Sequence, residues 1–571
     1  MKFYSLLFFS FVCVFCTNNK KQTNQQLETT AKVVPEKKET IFSLVPSNLS
    51  GINFTNFNKE NNDYNYFAYE YFYNGGGVAT ADFNNDGLLD IVFTANMASN
   101  KLYINKGDFT FQDITQTAGI NSNTQDWCTG VTIIDINSDG YQDIFISRSG
   151  WFDNDQQNKL SNLLFVNNKD LTFIESASQY GFTDQSRSNQ ACFFDMDNDG
   201  DLDMYLINNP KEHTKTREYK NGDIRLVDVG ATYQDSDKLY ENKNGTYVDI
   251  TKKAGLVNSD YGLGIVAADL NQDGFQDLYI ANDYSKPDAV LINNGNGTFK
   301  NTTDQTLKHM SKFSMGVDIA DINNDGLLDI FNSEMLGQDN YSKKVNMASM
   351  NPKLYWGFVN SGYQYQDMHN SLQLNNGNNT FSEISWMANV AETDWSWCPL
   401  IADFDNDGYK DIFVTNGIKR EVFNKDFNNK QGKGLTENPG LFEGAIRFLP
   451  VKKSFNAMFK NNGDLTFTDS AMDWGLKTQA FNSNGAAYAD LDNDGDLDLI
   501  LNNMEDKAAV YKNNAAEKNN ALTLTLTKNG NIAYGAKASL LQGEKQQISQ
   551  ITNTRGFQSV SDHRIHFGIG E

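Results

Sequence analysis

The 571-residue sequence predicts an all-β chain. The expected fold is a seven-bladed β-propeller of four-stranded blades, its ring closed by an N-terminal strand, followed by a partial C-terminal β module. Three observations predict it. A nine-residue acidic pattern recurs seven times. Each copy is followed by a short β-branched and aromatic run. A strand–turn–strand unit then follows most copies.

The acidic pattern is Asp-x-Asn/Asp-x-Asp-Gly-x-x-Asp. It places Asp82, Asn84, Asp86 and Asp90 in the first copy and Asp135, Asn137, Asp139 and Asp143 in the second. The third holds Asp195, Asp197, Asp199 and Asp203, and the fourth Asp269, Asn271, Asp273 and Asp277. Asp321, Asn323, Asp325 and Asp329 follow, then Asp403, Asp405, Asp407 and Asp411. The last copy holds Asp490, Asp492, Asp494 and Asp498. Ca²⁺ takes about six to eight oxygens, and alternate side chains of a tight loop can converge on it. Positions one, three, five and nine supply side-chain oxygen, position seven a carbonyl, and Gly at position six a sharp turn. Up to seven structural Ca²⁺ are therefore expected. Mg²⁺ fits less well, because it demands stricter geometry and keeps several waters.

An EF-hand begins the same way but needs Glu at position twelve and flanking helices. Position twelve here is Phe93, Ile146, Leu206, Ile280, Asn332, Val414 or Leu501, so that reading fails.

The following units, such as Leu102–Ile120, Leu164–Gly181 and Leu239–Gly255, read as strand, Asn/Gly turn, strand. One strand before each loop, one after it and this hairpin make a propeller blade. After Lys512 the last repeat lacks its outer strand, whereas residues 41–46 resemble one. They are expected to close the ring, which removes free edges.

The repeats resemble FG-GAP/VCBS repeats, similar to the calcium-bearing blades of integrin α-subunit heads. Residues 519–570 resemble the ASPIC/UnbV module found in cartilage acidic protein and many exported bacterial proteins. The opening from Tyr69 to Thr115 is similar to a group of Bacteroidetes-type surface lipoproteins. The resemblance implies a calcium-bearing propeller that binds ligand opposite its calcium loops.

The 72 Asp+Glu against 48 Lys+Arg give a formal charge of −24. That excess excludes a general nucleic-acid binder and electrostatic adhesion to an anionic lipid surface. With 39% hydrophobic residues the chain can bury a core, so disorder does not explain the acidity. Residues 1–16 read as a lipoprotein-type signal: Met-Lys, an apolar run from Phe3 to Phe15, then Cys16 as the lipidated residue. Residues 17–40 form a polar tether, 41–515 the propeller and 516–571 the β module. An outer-membrane or cell-surface lipoprotein of a Gram-negative bacterium is expected, touching membrane only through that anchor. Cys128, Cys192 and Cys398 have neither disulfide nor metal spacing and read as buried thiols.

The acidic loops all join first and second strands, so they share one face. The opposite face carries three long loops, near 208–237, 332–369 and 415–455, and collects aromatics. Tyr71, Tyr73, Trp127, Trp151, Tyr261, Tyr284, Trp356, Trp395 and Trp397 are the expected ligand-binding residues, suited to a glycan or protein partner. The expected function is a non-enzymatic ligand-binding or adhesion module at the cell envelope. The alternatives are a polysaccharide lyase or hydrolase on a propeller, or an accessory subunit of an outer-membrane uptake complex. His213, His309, His369, His563 and His566 form no His-Glu-x-x-His set, and no Gly-x-Ser-x-Gly elbow occurs.

Overall fold

A computed structural model describes residues 40–120, 126–150, 160–210, 217–220, 223–226, 232–258, 260–284, 286–346, 352–427, 446 and 449–571. Cys16, the signal and nearly all of the tether lie outside them, as do Trp151 and His213.

Seven four-stranded antiparallel sheets follow one another as blades. Blade one runs Val78–Ala81, Asp90–Phe93, Lys101–Asn105 and Phe111–Asp113, counted outward from the axis. The inner strands of the other blades are Cys128–Ile134, Arg187–Phe194, Gly262–Ala268, Val317–Ala320, Ser396–Ala402 and Ser483–Ala489. Blade seven takes its outer strand from the other end of the chain. Phe42–Val45 pairs antiparallel with Ala509–Asn513, Phe42 opposite Asn513. The ring therefore closes as the repeats predict.

Inner strands crowd toward the axis, and the composition of three of them reflects it. VATA, GLGIVAA and SNGAAYA are short of large side chains. At Gly316 a Cβ would overlap the Trp397 carbonyl of the next blade, so only glycine fits. Between blades the strands bury alternating aliphatics, as where Ala79, Val92 and Ile104 meet Val131, Ile144 and Phe165. Cys128, Cys192 and Cys398 are buried in these layers as free thiols.

The C-terminal segment is no appendage. Its strands Asn520–Leu524 and Ile565–Gly570 pair, as do Lys537–Gln542 and Lys545–Gln550, around Tyr534, Ile551 and Phe567. Between the last two strands the chain enters the central channel and bonds to every blade. Val560 N–H donates to Val78 O, and Val131 N–H to Gln558 O. Phe193 N–H donates to Asn553 Oδ1, and Thr554 Oγ1 to Ile265 O. Gly556 exchanges both backbone bonds with Val317. Phe557 N–H points at Cys398 Sγ, and Asp562 N–H donates to Tyr488 O. Arg555 pairs with the fully buried Asp318 at 2.8 Å. This plug escapes sequence reading because it is a single copy with no periodicity. Among the described residues, no helix is long and apolar enough to cross a membrane.

Candidate metal centres

The seven acidic loops share one hydrogen-bond scheme. Position six donates its N–H to position-one Oδ2, as Gly87 does to Asp82 at 2.7 Å and Gly408 to Asp403 at 2.7 Å. Position seven donates to position-five Oδ1, as Leu88 does to Asp86 at 3.0 Å. These bonds bend the loop around its own carboxylates. The residue at position four takes positive φ, from 56° at Ser138 and Asn406 to 62° at Gln272.

Position nine is the pin. Asp90 Oδ2 accepts Phe83 N–H at 3.0 Å, and Oδ1 accepts Asn105 N–H at 2.8 Å. Asp143, Asp203, Asp277, Asp329, Asp411 and Asp498 repeat both bonds. Burial pushes these acids up, to about 7 at Asp90, Asp143 and Asp277 and about 8 at Asp203 and Asp329. Water has been removed from a charge that only peptide dipoles answer.

Carboxylate oxygens of Asp195, Asp197 and Asp199 lie within 4.8 Å of one another, as do those of Asp403, Asp405 and Asp411 and of Asp490, Asp492 and Asp494. Buried Asp195 Oδ1, Asp405 Oδ1 and Asp492 Oδ1 have no hydrogen-bond donor among the described residues. Acceptors without donors, held together by a pre-bent loop, fit a hard oxygen-seeking cation.

Loops with Asn at position three and those with Asp balance charge differently. Asn84, Asn137, Asn271 and Asn323 donate to position-five Oδ2. In loops six and seven that donor is a lysine from the third strand. Lys460 bridges Asp405 and Asp407, and Lys512 bridges Asp492 and Asp494. Loop three has Glu241 at the matching strand position.

Two further bonds stitch the loops into a ring. The position-four amide reaches the Gly carbonyl of the next loop, as Asn85 does to Gly140 O and Asn324 to Gly408 O. The Asn ending each third strand reaches back to the preceding loop, as Asn167 does to Phe83 O at 2.9 Å. Among the described residues, both stitches are absent only between blades two and three. Ser138 is too short for the first, and Asn242 stops at Leu202 O. The hairpin Thr527–Lys528, Asn531–Ile532 of the C-terminal module spans this gap. Asn531 donates to Ser138 Oγ at 2.9 Å, and Lys528 reaches Asp195 Oδ2 at 3.4 Å. Lys537 reaches Asp269 Oδ2 at 2.7 Å. The module thus lies on the loop face. Its His563 and His566 are half-buried, and lost water together with the nearby Arg564 lowers them to about 3 and about 4.

On the opposite face the sequence-assigned aromatics divide. Tyr71, Tyr73, Trp127, Tyr261, Trp395 and Trp397 are buried together and stopper the channel. Trp397 stands 5.2 Å from Phe557 at the tip of the plug, and Tyr69 meets Trp127 edge-on at 5.5 Å. They present little surface to a ligand, because they pack against one another. Tyr284 is half-buried, in the left-handed region at φ 65°, with its hydroxyl on Glu70. Trp356 is exposed and outside that cluster, on the helix Pro352–Asn360. Sequence reading missed the acids among them. Asp283 accepts from Tyr71, and Glu334 accepts the N–H of Lys312, Phe313 and Met335. Burial raises them to about 7 and about 8. His369 is buried, with Nδ1 against Asn370 O and Ser385 Oγ.

Residues 71–146, 225–280, 269–331 and 356–414 match the FG-GAP-like repeat, and 526–571 match the ASPIC and UnbV family. Cartilage acidic protein 1 of Xenopus tropicalis is 24% identical over 527 residues, covering 87% of this chain and 68% of that protein. The Mus musculus protein of the same name is 22% identical over 517 residues, covering 86% and 68%. A solved Agrocybe aegerita lectin specific for non-reducing terminal N-acetylglucosamine aligns over 70% of this chain and 83% of its own, with 16% identity and a TM-score of 0.35. The repeat matches leave Asp195–Asp203 and Asp490–Asp498 outside, yet both loops carry the same bonds in equivalent blades. The chain belongs to the FG-GAP-repeat β-propeller proteins that carry a C-terminal ASPIC and UnbV module.

Proposed function

We propose that the protein is a calcium-stabilised, non-enzymatic ligand-binding or adhesion module of the cell envelope. The observation that carries this is the set of seven pre-bent acidic loops, three of which bring three carboxylates within 4.8 Å of one another and hold donorless buried oxygens. Positions one, three, five and nine of each loop would hold Ca²⁺, with the position-seven carbonyl. The cation neutralises carboxylates that burial otherwise forces toward protonation, and it stabilises the folded chain by mass action. The C-terminal module covers part of the loop face, so the ligand belongs on the opposite face, where long loops and polar–aromatic surface gather.

The apolar run ending at Cys16 supports an exported lipoprotein at the outer membrane or cell surface. Lipid labelling of wild type against Cys16→Ala tests that anchor.

Function is tested with an oligosaccharide array and a pull-down from native envelope, both in calcium and in chelator. Binding without turnover supports the reading. Cleavage of a bound polysaccharide would overturn its non-enzymatic part. A melting temperature indifferent to chelator, with no bound metal by elemental analysis, would overturn its calcium part.

A further inference from the structure

We propose that the crevice beside Trp395, on the face away from the acidic loops, takes one hydroxyl of a neutral sugar whose ring lies on Phe423. The proposal rests on the reading of that face as the ligand-binding one, and it names a subsite and a substrate class there.

Met335, Asn346, Asp394, Trp395, Phe423 and Lys452 line the crevice. The rings of Trp395 and Phe423 are parallel, 5.5 Å apart with 10° between planes. Trp395 is 9% exposed and Phe423 39%, and Tyr66 meets Phe423 edge-on at 6.2 Å, so Phe423 is the ring of the stack that reaches solvent.

Two residues that line the crevice each carry a buried polar atom with no partner among the described residues: Trp395 Nε1, a donor, and Asn346 Oδ1, an acceptor. The Asn346 amide is not free to turn. Its Nδ2 donates to Glu421 Oε1 at 3.0 Å, while Asn424 holds Glu421 Oε2 at 2.8 Å. The carbonyl must therefore face away from Glu421. Native proteins rarely leave such atoms unanswered.

In this proposal the two atoms share one partner, which must accept from an N–H and donate to a C=O at once. A hydroxyl does both. A carboxylate cannot donate, an ammonium cannot accept, and an apolar group answers neither. The nearby charges are held by groups of the chain: Lys452 and Asp394 pair at 2.5 Å, Ser454 donates to Asp394 at 3.1 Å, and the Asn346 and Asn424 amides donate to Glu421. The crevice has room for about one hydroxyl-sized group, so the rest of the ligand stays outside, against Phe423. A sugar carries hydroxyl and apolar ring face on one rigid unit, so it makes both contacts with little ordering cost.

The backbone here is held in an unusual shape. Asp394 has φ 94°, far from the ordinary region for a residue with a Cβ. Its N–H donates to Leu336 O at 2.9 Å, and Lys452 and Ser454 hold its carboxylate. That conformation fixes where Trp395 stands, and such outliers gather at ligand sites.

The experiment uses the full chain with calcium and the methyl glycosides of glucose, galactose, mannose, rhamnose and N-acetylglucosamine, read by saturation-transfer NMR and titration. At least one glycoside should bind the wild type. Trp395→Phe keeps a phenyl ring against Phe423 and removes the N–H together with the five-membered ring of the indole, and it should weaken that sugar about tenfold. Phe423→Ala, at an exposed ring, should weaken it similarly with an unchanged melt, which separates lost contact from lost fold. A glycoside that binds wild type and both variants equally overturns the subsite but leaves the ligand-binding face standing. Binding of none of the five overturns the sugar assignment, and a protein partner in the envelope pull-down would then stand alone.

Discussion

The α-carbon of Gly77 lies against the carbonyl oxygen of Gln558, so close that any Cβ would overlap it. One residue immediately precedes the first inner strand and the other is near the tip of the plug. Gly77→Ala must push the plug off blade one. The expected cost is about 3 kcal/mol, the upper part of the usual range for overpacking. Gly87→Ala meets no atom and should cost only the strain of φ 87°, about 1–2 kcal/mol. Denaturant midpoints compare the two. Equal costs would mean that the plug does not sit tightly in solution.

Asn167→Ala should cost more than Asn242→Ala. Asn167 is buried and donates to Phe83 O in the preceding blade and to Gln142 O in its own. Asn242 has only the second kind of bond, to Leu202 O at 3.3 Å. Leaving a buried carbonyl unpaired costs about 1–3 kcal/mol. The difference should approach that size in urea unfolding.

Asn531→Ala should loosen one junction and spare the other six. Hydrogen exchange is expected to rise in loops two and three, where the hairpin supplies the bond that Ser138 cannot make to its neighbour. A rise spread evenly around the ring would remove the hairpin's role as a local bridge.

Asp86→Ala should remove one cation without unfolding the blade. Asp86 is exposed, so in chelator the change should stay within about 0.5 kcal/mol. In calcium the bound metal should fall by one equivalent by elemental analysis. An unchanged count would mean that loop one holds no metal.

The pH dependence should differ with and without calcium. Folded-state values near 7 at Asp90, Asp143 and Asp277 and near 8 at Asp203 and Asp329 lie above the unfolded value of 3.8. Folding then takes up protons, so these groups favour the native state at low pH, and their contribution is lost as pH rises through about 7 to 8. In chelator the melting temperature should fall from pH 5 to pH 8. Calcium keeps the acids ionised in the folded state and should flatten that fall, so the gap between the two curves widens with pH. A gap of constant width measured by calorimetry would refute cation binding at position nine.

The sequence by itself determined the number of blades, the loop that opens each second strand and the closing strand at Phe42–Val45. These features repeat at short spacing, and their bonds are local: Gly87 to Asp82 and Asp90 to Phe83 span five and seven residues. Seven copies of a short motif identify themselves without a fold. Only the tertiary structure decided what fills the channel. Gln558 meets Asn189 across 369 residues of chain, from a segment that occurs once, so no period announces it. Tertiary structure also decided which aromatics face solvent. Trp127 and Trp356 read alike in sequence, yet one is sealed against Phe72 and the other stands on an exposed helix. Burial depends on what the rest of the chain brings alongside, and the channel's walls come from all seven blades at once.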